Sequence, residues 1–134
     1  MVEVLVDTSV WINFFRGNET KASIYLKNNL ASVILATCPI IVQEVLQGIS
    51  DDKVFHQIQE HFNQFIHLPC SNEYELAVQA ANLYRDLRKK GITIRKTNDC
   101  TIACYALNNN IPILHDDKDF QSIIENTLLK TVAI

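Results

Sequence analysis

Carboxylates recur in this chain where an apolar run ends or a helix turns an apolar face inward. Asp7 follows Val4, Leu5 and Val6, and Asp116, Asp117 and Asp119 follow the run that ends at Leu114. Asp99 precedes Ile102, Ala103 and Ala106, while Glu44 lies among Ile40, Ile41, Val45 and Gly48. Residues three or four apart share a helix face, so Asp99 and Glu44 are expected to point toward the interior. Carboxylates gathered in one pocket repel one another and take up protons unless a cation joins them. The donors are hard oxygens without His or Cys companions, a set that suits Mg²⁺ or Mn²⁺. Such an ion acidifies water and neutralises charge on a phosphodiester, and two can clamp the attacking and leaving oxygens. The chemistry implied is phosphoryl hydrolysis.

Each acid also has a plainer role open to it. Asp7 can cap a helix, Asp99 can complement a helix N-terminus, and Asp116 or Asp117 can serve a turn. Glu44 can form a structural salt bridge. A common centre accounts for all of them with one cause. Of twelve Lys and Arg residues, Arg85, Arg88, Lys89, Lys90, Arg95 and Lys96 fall together just before Asp99. They suit a polyanion whose flanking phosphates they hold, or else a solvated helix end. Arg16 is a further phosphate candidate and His115 could reach substrate or water. Thr8 and Ser9 can cap a helix and bond a metal ligand's water together.

The elements that must position these groups follow from periodicity. Met1 to Val6 reads as a strand buried on both faces, followed by a helix capped within Asp7-Thr8-Ser9 and stopped at Arg16-Gly17-Asn18. A second helix is expected over Thr20 to Leu30 and a second strand over Ser32 to Ala36. Thr37 and Pro39 open a helix that runs to Gly48, with Thr37 as its cap. Another begins at Asp51 and Asp52 and reaches Phe65, ahead of a short strand over Ile66 to Leu68. A long helix spans about Asn72 to Lys90, and a further one Thr97 to Asn109. Ile111 to Leu114 reads as strand, Asp119 to Glu125 as helix, and Leu128 to Ile134 as a last strand. Strands separated by helices imply parallel crossovers, hence an α/β domain with helices on both faces of a central parallel sheet. Ligands of such folds bind past the carboxyl ends of the strands, near a switch in strand order.

Composition narrows the alternatives. With 134 residues, 48% apolar and 20% charged, the chain suits one globular domain. Three glycines leave no room for a glycine-rich phosphate loop. A net charge of −3 names no partner by itself. No apolar run reaches the ~18 residues that span a bilayer, and the start lacks a signal-peptide pattern, so a cytoplasmic protein without membrane association is expected. Cys38, Cys70, Cys100 and Cys104 form no CxxC pair and read as reduced, mostly buried thiols, because His56, His61, His67 and His115 fall at no zinc-ligand spacing with them.

The opening VLVDTSVWINFFRG and the segments PIIVQEVLQG, TNDCTIACYAL and PILHDDKDF, in this order and spacing, resemble the PIN-domain ribonucleases. Within them they resemble the VapC toxins of toxin–antitoxin pairs, over nearly the whole chain. The resemblance implies a single PIN-like domain over residues 1–134 and an endoribonuclease dependent on Mg²⁺ or Mn²⁺. The acidic quartet it implies is Asp7, Glu44, Asp99 and Asp117, with Asp119 and Asp116 as auxiliary acids and the Thr8 hydroxyl beside the first. It also implies a homodimer, a VapB-type antitoxin that covers the cleft, and structured RNA such as tRNA as substrate. Two other classes compete. A receiver-like phosphoacceptor domain wants an acid pair after the first strand and an acceptor Asp after a central one, whereas Asp7 stands alone and no acid follows Ser32 to Ala36. A catalytically inactive PIN-like interaction module has no need of four inward carboxylates.

Overall fold

The computed structural model describes all of residues 1–134. Its centre is β1 (Val2–Val6), whose last three residues are buried and which pairs on both sides. On one side lies β2 (Val33–Thr37), with Val4 opposite Leu35. On the other lies β4 (Ile113–Leu114), with Val6 opposite Leu114. With β3 (Ile66–His67) beside β2, the sheet runs β3-β2-β1-β4, and every pairing is parallel.

Helices fill every connection. Following β1 come α1 (Thr8–Arg16) and α2 (Lys21–Asn29), and following β2 come α3 (Pro39–Gln47) and α4 (Asp52–Asn63). Following β3 come α5 (Glu73–Lys89) and α6 (Asn98–Asn109), and α7 (Lys118–Asn126) follows β4. From β1 to β3 the chain steps one way along the sheet, then returns across it to β4. Right-handed crossovers therefore place α1 to α4 on one face and α5 to α7 on the other. Most helix contacts follow this division: α1 touches α2 and α3, and α3 touches α4, while α6 touches α5 and α7; α3 also touches α6. The direction of winding reverses between β1 and β4, so Asp7 and the acids after Leu114 emerge at the switch point.

Local sequence sets the helix ends. Asp7, Thr20, Asp51, Asn72 and Asp117 each accept a backbone N–H of the helix they precede. Gly17 closes α1 at φ 72°, a left-handed conformation that a Cβ would strain. Twenty-nine buried residues make one core around the sheet. No helix is long and apolar enough to cross a membrane. All four cysteines are unpaired, and Cys38, Cys100 and Cys104 are buried.

Three elements differ from the sequence expectation. Thr37 is the last residue of β2 rather than a cap; its hydroxyl is buried without a partner, and Cys38 takes the cap position with no side-chain bond. The strand expected over Ile111 to Leu114 is shorter, because Pro112 has no N–H to give a ladder. Leu128 to Ile134 is not a strand but a single parallel bridge of Thr131 to Ile113. A two-residue β4 offers little to pair with, and Leu128 and Ile134 stay 90% and 59% exposed.

Candidate metal centre

Asp7 is delivered by β1 and fixed by the sheet, its N–H donating to Leu114 O at 2.9 Å. Its two oxygens have different fates. Oδ2 accepts from Ser9 N at 3.0 Å and from Ser9 Oγ, which caps α1. Oδ1 is buried with no partner in a residue only 3% exposed. Next along the chain, Thr8 Oγ1 donates to Glu44 Oε1 at 2.8 Å, so α1 orients the acid that α3 supplies. Ser9 Oγ also accepts from Asp116 N at 3.0 Å, which ties the start of α1 to the end of β4.

Asp99 enters from the first turn of α6 and is buried, with Oδ2 unpartnered. Asp117 caps α7 through Oδ1, which accepts from Asp119 N at 2.9 Å. Asp99, Asp117 and Asp119 each bring an oxygen within 4.8 Å of the others. Burial raises the Asp99 carboxyl to about 8, and the charges of Asp7, Asp117 and Asp119 push the same way against Lys96. Burial likewise raises Asp7, opposed by the Ser9 hydrogen bonds and reinforced by Glu44. Asp7 thus couples to Asp99 on one side and Glu44 on the other. The buried Cys38 thiol is pushed up to about 12, by burial first and then by the charges of Asp7 and Glu44, so it stays neutral.

Asp116 faces elsewhere. Its Oδ2 accepts from Asn13 Nδ2 at 2.9 Å and from Thr20 Oγ1 at 2.7 Å, which straps the α1–α2 turn to β4. Asn13 and Thr20 are the positioning residues that the sequence did not single out. The one signal was that Asn13 lies four residues after Ser9, on the same face of α1. His115 accepts from Asp117 N at 3.2 Å and packs 5.7 Å from Phe120, with burial holding its pKa below the usual value. The basic stretch divides. Arg95 and Lys96 reach Asp117 and Asp119, whereas Arg85, Arg88, Lys89 and Lys90 are exposed near the end of α5, where Arg88 lies 5.7 Å over the Tyr84 ring. Arg16 is exposed in the last turn of α1.

A parallel sheet in the order β3-β2-β1-β4 with an acidic cluster at its switch point defines the class. The family model described as the PIN domain matches residues 4–126, and the chain belongs to the PIN-domain family. The VapC ribonuclease Mb1587 of Mycobacterium bovis is 31% identical over 132 residues, covering 97% of this chain and 98% of that protein. Ribonuclease VapC11 of Mycobacterium tuberculosis matches to the same extent, which puts the VapC ribonucleases among this chain's relatives. Among solved structures, VapBC-1 from nontypeable Haemophilus influenzae has TM-score 0.70 at 21% identity, covering 98% of this chain and 97% of that one. VapBC2 from Rickettsia felis, bound to a DNA fragment from its promoter, has TM-score 0.70 at 15% identity and 98% coverage of both chains. At those identities the likeness is one of fold.

Proposed function

We propose that the protein is a divalent-metal-dependent endoribonuclease, the toxin of a VapBC-type pair, acting in the cytoplasm on a structured RNA such as tRNA. The observation that carries this reading is the pair of buried, unpartnered oxygens, Asp7 Oδ1 and Asp99 Oδ2, the second grouped with Asp117 and Asp119 and the first close enough for its charge to act on Asp99. A buried carboxylate oxygen without a donor is costly unless a proton or a cation satisfies it. An all-oxygen donor set fits Mg²⁺ or Mn²⁺, which Asp7, Glu44, Asp99 and Asp117 would hold, with Asp119, grouped with Asp99 and Asp117, as an auxiliary acid. Such an ion supplies Lewis acidity, acidifying water and neutralising the charge that builds on a phosphodiester.

The chain's own groups prepare that site. Ser9 fixes Asp7 by two hydrogen bonds to one oxygen and leaves the other free. Thr8 holds the Glu44 carboxylate on the same side. Asp99 must give up its proton for the ion to be held, so loading of the site releases protons near neutral pH. The free cations Arg16, Arg85, Arg88, Lys89 and Lys90 guide the RNA backbone, and His115 borders the acids. Because unpaired bases are where RNA sequence is read, cleavage falls in a loop.

A VapB-type antitoxin is the partner this reading implies. An apolar hollow of about 320 Å³ lined by Trp11, Phe14, Leu30, Leu35, Ile58 and Phe62 gives an apolar segment a seat. Tyr74 and Val78, exposed one turn apart on α5, offer a face for a homodimer.

The test is incubation with total RNA in Mg²⁺ or Mn²⁺, beside EDTA and beside Asp7→Asn. Discrete fragments absent from both controls, mapped at their ends, are expected. No cleavage by folded, antitoxin-free protein, or cleavage by Asp7→Asn at the parent's rate, overturns the reading; the former outcome favours a non-catalytic interaction module.

A further inference from the structure

Arg95 and Lys96 lie on the connection between α5 and α6, against the acids. Their charged heads approach loosely: Arg95 Nη2 is 3.6 Å from Asp117 Oδ1, and Arg95 Nε is 3.5 Å from Asp119 Oδ2. Lys96 Nζ is 3.5 Å from Asp117 Oδ2. These distances exceed those of a charge-assisted hydrogen bond. The two basic side chains are 71% and 63% exposed, against 8% for Asp117 and 11% for Asp119. Short bonds hold the segment in place, from the Arg95 backbone N–H to Asp119 Oδ2 at 2.9 Å and from the Asp99 N–H to Lys96 O at 3.0 Å. The backbone is anchored, then, while the charged heads can swing.

The ion pairs all lie at one edge of the cluster. Asp117 and Asp119 have these cations, whereas Asp7 Oδ1 and Asp99 Oδ2 are buried with no partner. Exposed, poorly aligned ion pairs of this kind are weak, so a divalent cation can displace them. Long side chains on a fixed backbone remain within reach of whatever then lies over the acids.

We propose that Arg95 and Lys96 are displaceable counter-ions built into the chain, which neutralise Asp117 and Asp119 until a divalent cation takes those carboxylates and then turn outward onto phosphates flanking the scissile one. The 95–96 segment thereby sets how tightly the site takes its metal and couples metal binding to grip on RNA. This rests on the acids being a metal centre.

Calorimetric titration with Mn²⁺ in the absence of RNA tests it on the parent, Arg95→Gln, Lys96→Gln, the double variant and Arg95→Lys, with Asp99→Asn alongside. Removing the cations leaves the field at the acids more negative, so the neutral variants should bind Mn²⁺ about three- to tenfold tighter. Arg95→Lys should stay close to the parent. The same neutral variants, carrying Asp7→Asn to prevent cleavage, should bind RNA several-fold more weakly. Mn²⁺ binding that requires Asp99 yet is unchanged or weaker in the double variant overturns this proposal and leaves the metal centre standing. Absence of saturable Mn²⁺ binding, or binding indifferent to Asp99→Asn, overturns both. Each single variant removes one exposed head, so the singles answer the question even if the double variant does not fold.

Discussion

At Asp7 the helix cap and the proposed metal role do not compete, because its two oxygens have different surroundings. Oδ2 caps α1 through Ser9, and Oδ1, buried without a partner, is the oxygen that the proposed cation would satisfy. Asp99 has no cap bond, and its charge is opposed by burial and by three neighbouring acids. It keeps its proton up to about 8 in the folded protein, against 3.8 ordinarily. Between those values the folded state binds more protons than the unfolded one, so stability falls as pH rises through that window. The depressed His115 pKa adds a rise below about pH 6.5, so in EDTA melting temperatures taken from pH 6.5 to pH 8.5 should decline for the parent. Asp99→Asn, a neutral isostere, should flatten the profile and be more stable than the parent at pH 8 by about 1–3 kcal/mol. Added Mn²⁺ should restore the parent more at pH 8 than at pH 5, since it needs the ionised carboxylates. A parent profile that is level or rises over this range contradicts the crowded, buried acid.

The helices around the sheet explain why the acids hold their places. Trp11, 3% exposed, packs its ring 5.5 Å from both Phe62 and Phe65, so α1, which carries Thr8 and Ser9, is clamped to α4. Phe62→Ala should lower the free energy of unfolding in urea by about 3–5 kcal/mol, the usual cost of truncating a buried ring. Phe15→Ala, 43% exposed though 5.7 Å from the same Trp11, should cost under about 1 kcal/mol. Equal losses would mean that exposure misjudges which ring carries the clamp. The periodicity of these helices was readable from sequence because a helix needs only a one-sided apolar face to declare itself. Short parallel strands were less so. β4 is two residues and its would-be neighbour after Leu128 a single bridge, since what decides pairing is the partner's length and not the segment's own pattern. The same limit applies to the Asp116-Asp117 pair: adjacent residues in a turn point to different sides, and only Asn13 and Thr20, far off in sequence, show which one is strapped away.

Across the molecule, charge is arranged against its sum. The chain carries a net −3, yet half its cations lie within twelve residues of sequence, 85 to 96, that lead into the acidic centre. Sequence spacing grouped these six as one basic stretch; the end of α5 at Lys89 separates an exposed set on the helix from the pair that touches the acids. The two sets should behave differently toward salt. Cations that touch only phosphates release counter-ions on binding, with a slope of log K against log salt of about −0.7 per contact on single strands. Binding of single-stranded RNA to Asp7→Asn protein, measured from low to moderate salt, should therefore lose about 1.4 from the magnitude of its slope when Arg88→Gln and Lys89→Gln are added. Mn²⁺ affinity, measured on the same pair in otherwise native protein, should change far less than with Arg95→Gln and Lys96→Gln, because Arg88 and Lys89 make no ion pair with the acids. An unchanged salt slope would assign the helix-end cations to solvent and to the C-terminal dipole of α5, and would leave the grip on RNA to residues nearer the metal centre.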